Sequence, residues 1–432
     1  MKCLIIAGGI GSRLKHRGEI KPLIPLLGLP ILERSIKTLK ACGIEDFYIV
    51  TGYKHEKFHP FLEDLTKKEG VRITSIINSD WEKENGYSVY QARNHLKDSF
   101  LLLMADHLFD QEIIRLMKDQ LVHTDEVLLA VDHNITNHYV NPHDATRVLV
   151  QDRRIIEIGK GIGNFNGYDT GIFLCTPVIF KVLKESIDKG NTTLTGAVRL
   201  LAQKGKVRAV DITGRFWVDI DDEETFRKAE KYLQQSLSKP SDGPISRYLN
   251  RPISRRITSR LVRTRITPNQ VSIVSFLISI VAAILFFLRQ PFLLALGGVV
   301  AQISSILDGC DGELARLRSL ESRSGGWLDS ILDRYGDGLL LAGLTYYLAG
   351  NNPDVFPLLI GLLALIGSFL NSYIAVYYDR IRNERFRIGR DLRLFIIFIS
   401  AVLNQPLAGL FVIGLIMNLE NLRRIVQLLK YG

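Results

Sequence analysis

The chain has 432 residues, and its 55 Lys and Arg residues against 45 Asp and Glu residues give a formal net charge of +10 at pH 7. This length predicts two or three domains, each able to bury its own core. The four cysteines, Cys3, Cys42, Cys175 and Cys310, are too scattered for a disulfide framework or a Cys/His zinc site, so both are excluded.

The basic excess is concentrated in the more apolar half of the chain. Residues 241–432 contain 20 arginines, one lysine and 13 acidic residues, and therefore account for +8 of the net charge. Basic charge combined with apolar segments indicates a lipid bilayer as partner and no nucleic acid. The apolar run in MKCLIIAGGIGSRL is too short for a signal peptide, so we expect the N-terminal half to lie in the cytoplasm.

Short β-branched runs alternate with helix-like stretches in the first part of the chain. The runs are CLIIAG, FYIVTG, RITSII and FLLLMAD, and LERSIKTLKACG is a helical stretch between the first two. Such alternation predicts βαβ units and a parallel sheet covered by helices. We therefore expect an α/β, Rossmann-like domain over residues 1–236.

A glycine-rich turn follows the first predicted strand in LIIAGGIGSRL. Backbone N–H groups of a turn with Gly8, Gly9 and Gly11 can approach phosphates, and Arg13 can neutralise their charge. The turn is not a dinucleotide fingerprint, because a GxGxxG pattern starting at Gly9 would require glycine in place of Leu14.

Further charged residues lie beyond the turn and at other strand ends. Lys21 is in GEIKPLIPLLGLPIL, Asp106 is in LLLMADHLF, and Asp219 and Asp221 are in RFWVDIDD. With the glycine-rich turn, these residues resemble the nucleotidyltransferases that make nucleotide-activated sugars and polyol phosphates. The likeness covers roughly residues 1–235.

This resemblance implies a role for each residue. The glycine-rich turn, Arg13 and Lys21 would hold a nucleoside triphosphate, and Asp106 and Asp219 would hold Mg²⁺. Lys160, in EIGKGI, would bind on the sugar-phosphate side, and Asp221 is the alternative to Asp219. A phosphomonoester is already an anionic nucleophile, so Arg13 and Lys21 would act by neutralising charge rather than as bases.

A change in composition separates this domain from the next. LSKPSDGP, residues 237–244, is rich in Pro, Gly and Ser and predicts a linker. ISRYLNRPISRRITSRLVRTRI, residues 245–266, has seven arginines interleaved with Ile, Leu and Val. We interpret it as a basic interfacial helix at an anionic membrane surface, the alternative being a solvated helix packed on its own domain.

Six apolar segments within residues 267–432 predict an all-α, six-helix transmembrane domain. They cover residues 271–288, 291–307, 326–350, 355–378, 392–403 and 406–419. Arginines and lysine collect in alternate connections: Arg316, Arg318, Arg323; Arg380, Arg382, Arg385, Arg387, Arg390, Arg393; Arg423, Arg424, Lys430. The other connections carry only Arg289. This pattern predicts a multi-pass protein of the inner or plasma membrane with both the N-terminal domain and the C-terminus in the cytoplasm.

Four aspartates lie between the second and third apolar segments. In DGCDGELARLRSLESRSGGWLDSILDRYGD, Asp308, Asp311, Asp329 and Asp333 follow the pattern DxxDGxxAR, eight residues, then GxxxDxxxD. These spacings place each pair on one helical face. Because carboxylates in membrane helices need compensation, we expect them to hold Mg²⁺ or Mn²⁺ in a site with room for two metals. The alternative is a pair of solvated helix ends.

The aspartate pattern matches every fixed position of the CDP-alcohol phosphotransferase motif, which belongs to a six-span membrane family. TPNQVS, residues 267–272, also resembles a segment of that family, and the likeness covers about 245–432. It implies attack of an alcohol hydroxyl on the β-phosphorus of a CDP-linked donor, with CMP leaving.

Roles for individual residues follow from this second resemblance. Asp308, Asp311 and Asp329 would be metal ligands, and Asp333 would be the general base and a ligand of the second metal. Gly312, Ala315 and Arg316 would line the nucleotide side. Arg390, in the arginine-rich segment 380–393, would bind the phosphate of an acceptor.

The order of the two domains predicts two successive reactions with CTP as the nucleotide. The whole chain resembles fusion enzymes that join an inositol-1-phosphate cytidylyltransferase to a CDP-inositol inositolphosphotransferase and make di-myo-inositol phosphate phosphate. CTP, inositol phosphate and CDP-inositol are then the implied substrates, and a homodimer is a further expectation. The alternatives are headgroup transfer to a lipid alcohol and a membrane-tethered, nucleotide-binding scaffold.

Overall fold

The computed structural model describes residues 1–238, 242–350, 355–381 and 388–431. The chain divides into two compact units, Met1–Tyr232 and Leu233–Gly432. The strands of the first unit are β1 (Lys2–Ala7), β2 (Pro25–Leu26), β3 (Leu29–Pro30), β4 (Asp46–Thr51), β5 (Arg72–Ile77), β6 (Phe100–Met104), β7 (His107–Phe109), β8 (Val127–Asp132), β9 (Arg147–Gln151), β10 (Arg154–Gly159), β11 (Gly167–Cys175), β12 (Val207–Asp211) and β13 (Trp217–Asp219). Its helices are α1 (Ile31–Ala41), α2 (His55–Glu69), α3 (Asn85–Gln91), α4 (Gln111–Lys118), α5 (Val178–Asp188), α6 (Leu194–Gln203) and α7 (Glu223–Gln235), which continues into the second unit.

The first unit is built on a nine-stranded sheet in the order β5-β4-β1-β6-β11-β8-β12-β10-β9. The four predicted strands are confirmed as β1, β4, β5 and β6, and the predicted helix between the first two is confirmed as α1. The prediction of a parallel sheet is wrong at β11, which runs antiparallel to both β6 and β8, and at the edge strands β10 and β9, whereas β8 and β12 pair in parallel. The sheet is therefore mixed.

The central strands bring the glycine-rich turn and Asp106 to one edge of the sheet. Cys3 and Ile5 of β1 pack in one core, and Leu4 and Ile6 pack in the core on the opposite face. Burial on both faces is typical of a central parallel strand. Because β1 and β6 are parallel neighbours, the residues that follow them emerge side by side, as is usual for ligand sites in α/β sheets.

A separate two-stranded ribbon adds the remaining acidic residue to this edge. Strand β13 pairs antiparallel with β7, and this register places Asp219 opposite His107. Residues opposite each other in an antiparallel pair have neighbouring side chains. Asp219 thus reaches Asp106, which immediately precedes β7.

The second unit is helical throughout its described residues, apart from the connections. A π-helical turn, Ser246–Asn250, leads into α8 (Arg251–Leu261). The following helices are α9 (Pro268–Phe287), α10 (Pro291–Leu317), α11 (Arg323–Ala349), α12 (Val355–Ile381), α13 (Arg390–Val402) and α14 (Pro406–Tyr431). Within the described part of the chain, three stretches are long and apolar enough to cross a membrane: Pro268–Phe287, Pro291–Leu317 and Val355–Tyr378.

The basic segment is bound to the bundle through a buried carboxylate. Glu313 of α10 is fully buried and accepts hydrogen bonds from Arg251, Ser254 and Thr258 of α8, at 2.7–2.9 Å. The predicted helix over 245–266 is too long at its C-terminal end. Helix α8 stops at Leu261, and the Arg318 guanidinium donates to the carbonyl oxygens of Leu261 and Val262.

Parts of the predicted linker make defined contacts. Residues 239–241 lie outside the described residues. Leu237 is buried, and Asp242 forms a two-point ion pair with Arg251, at 2.9 and 3.0 Å. The two ends of the segment 237–244 are therefore fixed within the second unit.

Candidate active sites

A cavity of about 330 Å³ opens at the carboxyl edge of the sheet in the first unit. Residues that the sequence singled out line it together with others that it did not: Gly9, Asp106, His107, Asp144, Lys160, Asp169, Asp219 and Asp221. Acidic and basic groups converging in one cavity of this kind are typical of a site for a charged ligand.

Lys21 is the buried cation of this cluster. Its side chain is 7% exposed, and its Nζ lies 2.6 Å from Asp106 Oδ2, 2.5 Å from Asp221 Oδ1 and 3.9 Å from Asp219 Oδ1. Burial opposes the ammonium charge, but the three carboxylates outweigh burial and raise the pKa of Lys21. Lys21 therefore stays charged at neutral pH.

Asp106 and Asp219 meet with a histidine that the sequence did not single out. Ligand atoms of Asp106, His107 and Asp219 lie within 4.8 Å of one another, close enough to hold a metal ion. His107 Nδ1 is 2.9 Å from Asp106 Oδ1 and 3.8 Å from Asp219 Oδ1. Asp221 does not belong to this group and pairs with Lys21 instead. Of the two alternatives, the geometry favours Asp219 as the ligand.

Burial shapes the acidity of these groups. It raises the pKa of Asp219 to about 7, because Oδ1 of this carboxylate is buried without a hydrogen-bond donor. Burial opposes the charge of His107, but Asp219 and Asp106 outweigh it and raise the pKa of His107 to about 9. A bound cation would return Asp219 to its ionised form.

Arg13 and Lys160 share one carboxylate of the cavity lining, that of Asp144. Arg13 Nη2 is 2.7 Å from Asp144 Oδ2, and Lys160 Nζ is 2.5 Å from Asp144 Oδ1. Hydrogen bonds from Lys160 and Arg13 lower the pKa of Asp144 to about 2. Sequence reasoning missed Asp144, since nothing in the chain links it to Arg13, 131 residues away.

The three glycines of the turn differ in the space available for a side chain. Gly11 has φ +61°, and a Cβ added there would lie 2.4 Å from the Cβ of Lys21. Gly9 has open space around it, and a Cβ at Gly8 would make ordinary contacts with Gly52. Gly11 is therefore the position where the turn itself requires glycine, because Lys21 packs directly against it.

The second candidate site lies where α10 and α11 face each other. Asp308 and Asp311 are near the end of α10, and Asp329 is near the start of α11. Ligand atoms of these three carboxylates lie within 4.8 Å of one another. Asp333 is not in this group, although the sequence placed it among the ligands, and it approaches Asp308 through a shared arginine.

That arginine is Arg390, the first residue of α13. Its Nη1 is 2.8 Å from Asp308 Oδ2 and 2.8 Å from Asp333 Oδ1, and its Nε is 3.0 Å from Asp337 Oδ1. Arg393 Nη2 is 2.6 Å from Asp337 Oδ2. Arg382, Arg385 and Arg387 of the predicted arginine cluster, and the side chain of Arg380, lie outside the described part of the chain.

Hydroxyl groups of α9 orient the aspartates of α10. Ser272 Oγ donates to Asp311, and Ser275 Oγ donates to Asp308 at 3.4 Å. Helix α9 begins with a capping box between Thr267 and Gln270, which explains the TPNQVS segment as a helix start. Sequence reasoning noticed this segment but not the roles of Ser272, its last residue, and of Ser275 just beyond it.

Two cavities flank the aspartates. One of about 200 Å³ is lined by Asp311, Asp329, Gly312, Ala315 and Arg316, the last three being the residues predicted for the nucleotide side. Another of about 100 Å³ is lined by Asp308, Gly309, Arg251 and Arg390. The aspartates thus lie between a predicted nucleotide side and a side with two arginines.

Comparison with known proteins gives a match to each unit. Residues 3–156 match the MobA-like NTP transferase domain, and residues 265–422 match the CDP-alcohol phosphatidyltransferase family. The bifunctional IPC transferase and DIPP synthase of Aquifex aeolicus (strain VF5) is 35% identical over 428 residues, which cover 96% of this chain and 95% of that protein.

Two further similarities each cover about half of the chain. The archaetidylinositol phosphate synthase of Pyrococcus horikoshii is 32% identical over 183 residues, or 40% of this chain and 90% of that protein. A solved structure of the inositol-1-phosphate CTP transferase from T. maritima aligns with 53% of this chain and 96% of its own, at 23% identity and a TM-score of 0.47.

Gly11→Ala should weaken binding of CTP in the presence of Mg²⁺ by roughly tenfold or more, because the added Cβ displaces Lys21. Gly214→Ala is the matched control, since Gly214 has φ +85° but no atom within 4 Å of an added Cβ. Both variants should lose about 1 kcal/mol of stability from the left-handed backbone. Calorimetric CTP affinities that fall equally in the two variants would contradict the role of the Gly11–Lys21 contact.

Proposed function

The chain belongs to the family of bifunctional IPC transferases and DIPP synthases, and on this premise we propose that it catalyses two successive transfers. In the first, a phosphate oxygen of inositol 1-phosphate attacks the α-phosphorus of CTP. The bond from the α-phosphorus to the bridging oxygen of the β-phosphate breaks, which gives CDP-inositol and pyrophosphate.

The first cavity supports this reaction through its charges. Lys21 packs against Gly11 of the glycine-rich turn. Arg13 and Lys160, whose side chains are 54% and 62% exposed, both pair with Asp144 of the cavity lining. We assign Arg13 and Lys21 to the triphosphate and Lys160 to the phosphate of inositol. Cations placed around phosphates stabilise the charge that develops during transfer, and an anionic nucleophile needs no base.

In the second transfer, a hydroxyl of another inositol phosphate attacks the β-phosphorus of CDP-inositol. The bond from this phosphorus to the oxygen that bridges to the α-phosphorus breaks, and CMP leaves. The product joins two inositols through a phosphodiester and keeps one phosphomonoester. Asp333 would accept the proton of the attacking hydroxyl, a function suited to a carboxylate that lies beside the aspartate cluster.

The carboxylate cluster in each unit supplies the oxygen donors that Mg²⁺ or Mn²⁺ prefers. Asp106 and Asp219 would hold the ion in the first site, and Asp308, Asp311 and Asp329 would hold it in the second, with Asp333 as a further ligand of a second ion. When bound, the ion would neutralise phosphate oxygens and fix the diphosphate in place.

The observation that carries this proposal is the nucleotide-side cavity beside the Asp308, Asp311 and Asp329 cluster in a chain that also has a nucleotidyltransferase unit. A second candidate function is transfer of the CDP-linked headgroup to a lipid alcohol. The similarity of the second unit to an archaetidylinositol phosphate synthase favours it, but that similarity covers 40% of the chain.

The proposal also covers how the chain lies in the membrane. We propose six spans, with the N-terminal unit and the C-terminus on the cytoplasmic side, since arginines collect in alternate connections. Helices α11, α13 and α14 would be the other three spans, in addition to the more apolar helices α9, α10 and α12. Their polar residues face a shared interior in such a bundle, as Asp337 and Arg393 do here.

The two activities should separate by mutation. Asp106→Asn should lower pyrophosphate release from CTP by roughly a hundredfold or more and leave transfer from supplied CDP-inositol unchanged. Asp308→Asn should do the reverse. Asp64→Asn, at an exposed carboxylate, is the control, and both rates are measured by phosphorus NMR. Loss of both activities in a folded single variant would argue against two independent sites.

The product of CTP and inositol phosphate should be water-soluble. With radiolabelled inositol phosphate, the label should stay in the aqueous phase after extraction with chloroform, in a compound with one phosphodiester and one phosphomonoester. If label enters the organic phase when a lipid alcohol is supplied, and no such soluble compound forms, the acceptor is a lipid.

The orientation can be tested at two exposed loop positions. Asn404→Cys should react with an impermeant thiol reagent added to intact cells, and Ser319→Cys should react only after permeabilisation. Both residues are exposed with φ near +50°, so the substitutions are matched in backbone cost. The four native cysteines are buried and give a low background. The opposite labelling pattern would overturn the proposed topology.

A further inference from the structure

Asp337 is a buried carboxylate that the aspartate motif does not include. It lies one turn beyond Asp333 on α11, at the spacing that keeps residues on one helical face. Its exposed fraction is 5%, in a helix whose other aspartates face the proposed reaction. A carboxylate buried this deeply in an apolar bundle requires partners.

Two arginines of α13 share this carboxylate. Asp337 Oδ1 accepts a hydrogen bond from Arg390 Nε at 3.0 Å, and Oδ2 accepts one from Arg393 Nη2 at 2.6 Å. The Nε of Arg390 is thereby engaged, and its outer nitrogen Nη1 lies 2.8 Å from both Asp308 and Asp333, the carboxylates that the proposed function assigns to metal binding and proton transfer. Arg390 also lines the cavity of about 100 Å³ beside Asp308.

The Nε contact determines where the guanidinium plane can point. Arginine is a long side chain with several rotatable bonds, and its planar fork gives specificity only when the plane is fixed. Asp308 and Asp333 are committed to metal and proton transfer in the proposed function, so they cannot fix it alone. Asp337 does not belong to the group of Asp308, Asp311 and Asp329, and both of its oxygens accept hydrogen bonds from arginines of α13, so it is available for this purpose.

We propose that Asp337 is a positioning residue for Arg390, which it holds so that the outer guanidinium nitrogens meet the phosphate of the acceptor inositol phosphate. This inference rests on the proposed function of the second site. A merely structural role would be to neutralise the buried charge of Arg393, whose exposed fraction is 4%.

The two roles can be separated with paired substitutions. Asp337→Asn should raise the KM for inositol phosphate roughly tenfold or more, with kcat from bound CDP-inositol changed far less, because a charge-assisted contact to Arg390 is lost. It should also lower the thermal midpoint, because Arg393 loses its partner. Arg393→Gln should keep a KM near that of the wild type, since the Asp337–Arg390 contact remains.

The double variant Asp337→Asn with Arg393→Gln decides between the roles. It should recover thermal stability, because no buried guanidinium of Arg393 is left unpaired, but it should keep the raised KM. Recovery of a wild-type KM together with stability would overturn the positioning role. A wild-type KM in Asp337→Asn alone would overturn it as well.

Two measurements keep this outcome distinct from failure of the proposed function. The wild-type chain must form the doubly phosphorylated soluble product, and Arg390→Gln must raise the KM for inositol phosphate. If either result fails, the assignment of Arg390 to an acceptor phosphate is wrong. If both hold and Asp337→Asn behaves like the wild type, only the inference about Asp337 is refuted.

Discussion

Buried carboxylates in both units must lie close to positive charge, and this electrostatic constraint organises the two sites. In the first unit, Lys21 is surrounded by Asp106, Asp219 and Asp221. In the second, Arg390 and Arg393 face more carboxylates than they can neutralise. Isolated charges of this kind are very costly in an apolar environment. An excess of carboxylates over cations gives each cluster a negative charge that a divalent ion would compensate.

The cations that balance these carboxylates differ in exposure between the two units. Arg13 and Lys160 are more than half exposed, and both pair with Asp144, which lines the first cavity. Such exposed side chains can change conformation to contact a phosphate that enters from water. In the second unit, the guanidinium groups of Arg390 and Arg393 are 14% and 4% exposed and are fixed by carboxylates. For Arg390, which lines the cavity beside Asp308, a fixed guanidinium suits recognition of a phosphate, because its geometry is set before the ligand binds.

Sequence patterns identified residues that a local motif marks and missed those whose role depends on distant neighbours. Asp106 and the glycine-rich turn were singled out because each follows a run that indicates a strand, and the resemblance to nucleotidyltransferases implied that they share a site. The choice between Asp219 and Asp221 required the register of β13 against β7, which no spacing reveals. The antiparallel direction of β11 was equally invisible, since a β-branched run is similar in both directions. Asp337 continues the four-residue spacing of Asp329 and Asp333, yet its partners come from α13, more than 50 residues later.

Arg390 alone does not decide between a soluble and a lipid acceptor. Its buried charge is already accounted for by Asp308, Asp333 and Asp337, so its presence does not require an acceptor phosphate. The fusion of the two units in one chain is stronger evidence for a soluble acceptor. An enzyme that only transferred headgroups to a lipid alcohol would need only one unit of this kind. The archaetidylinositol phosphate synthase accordingly aligns with 40% of this chain. The bifunctional relative aligns with 96% of it and therefore includes both units. Under the proposed function, inositol phosphate is the nucleophile in the first site and would be at hand as acceptor in the second.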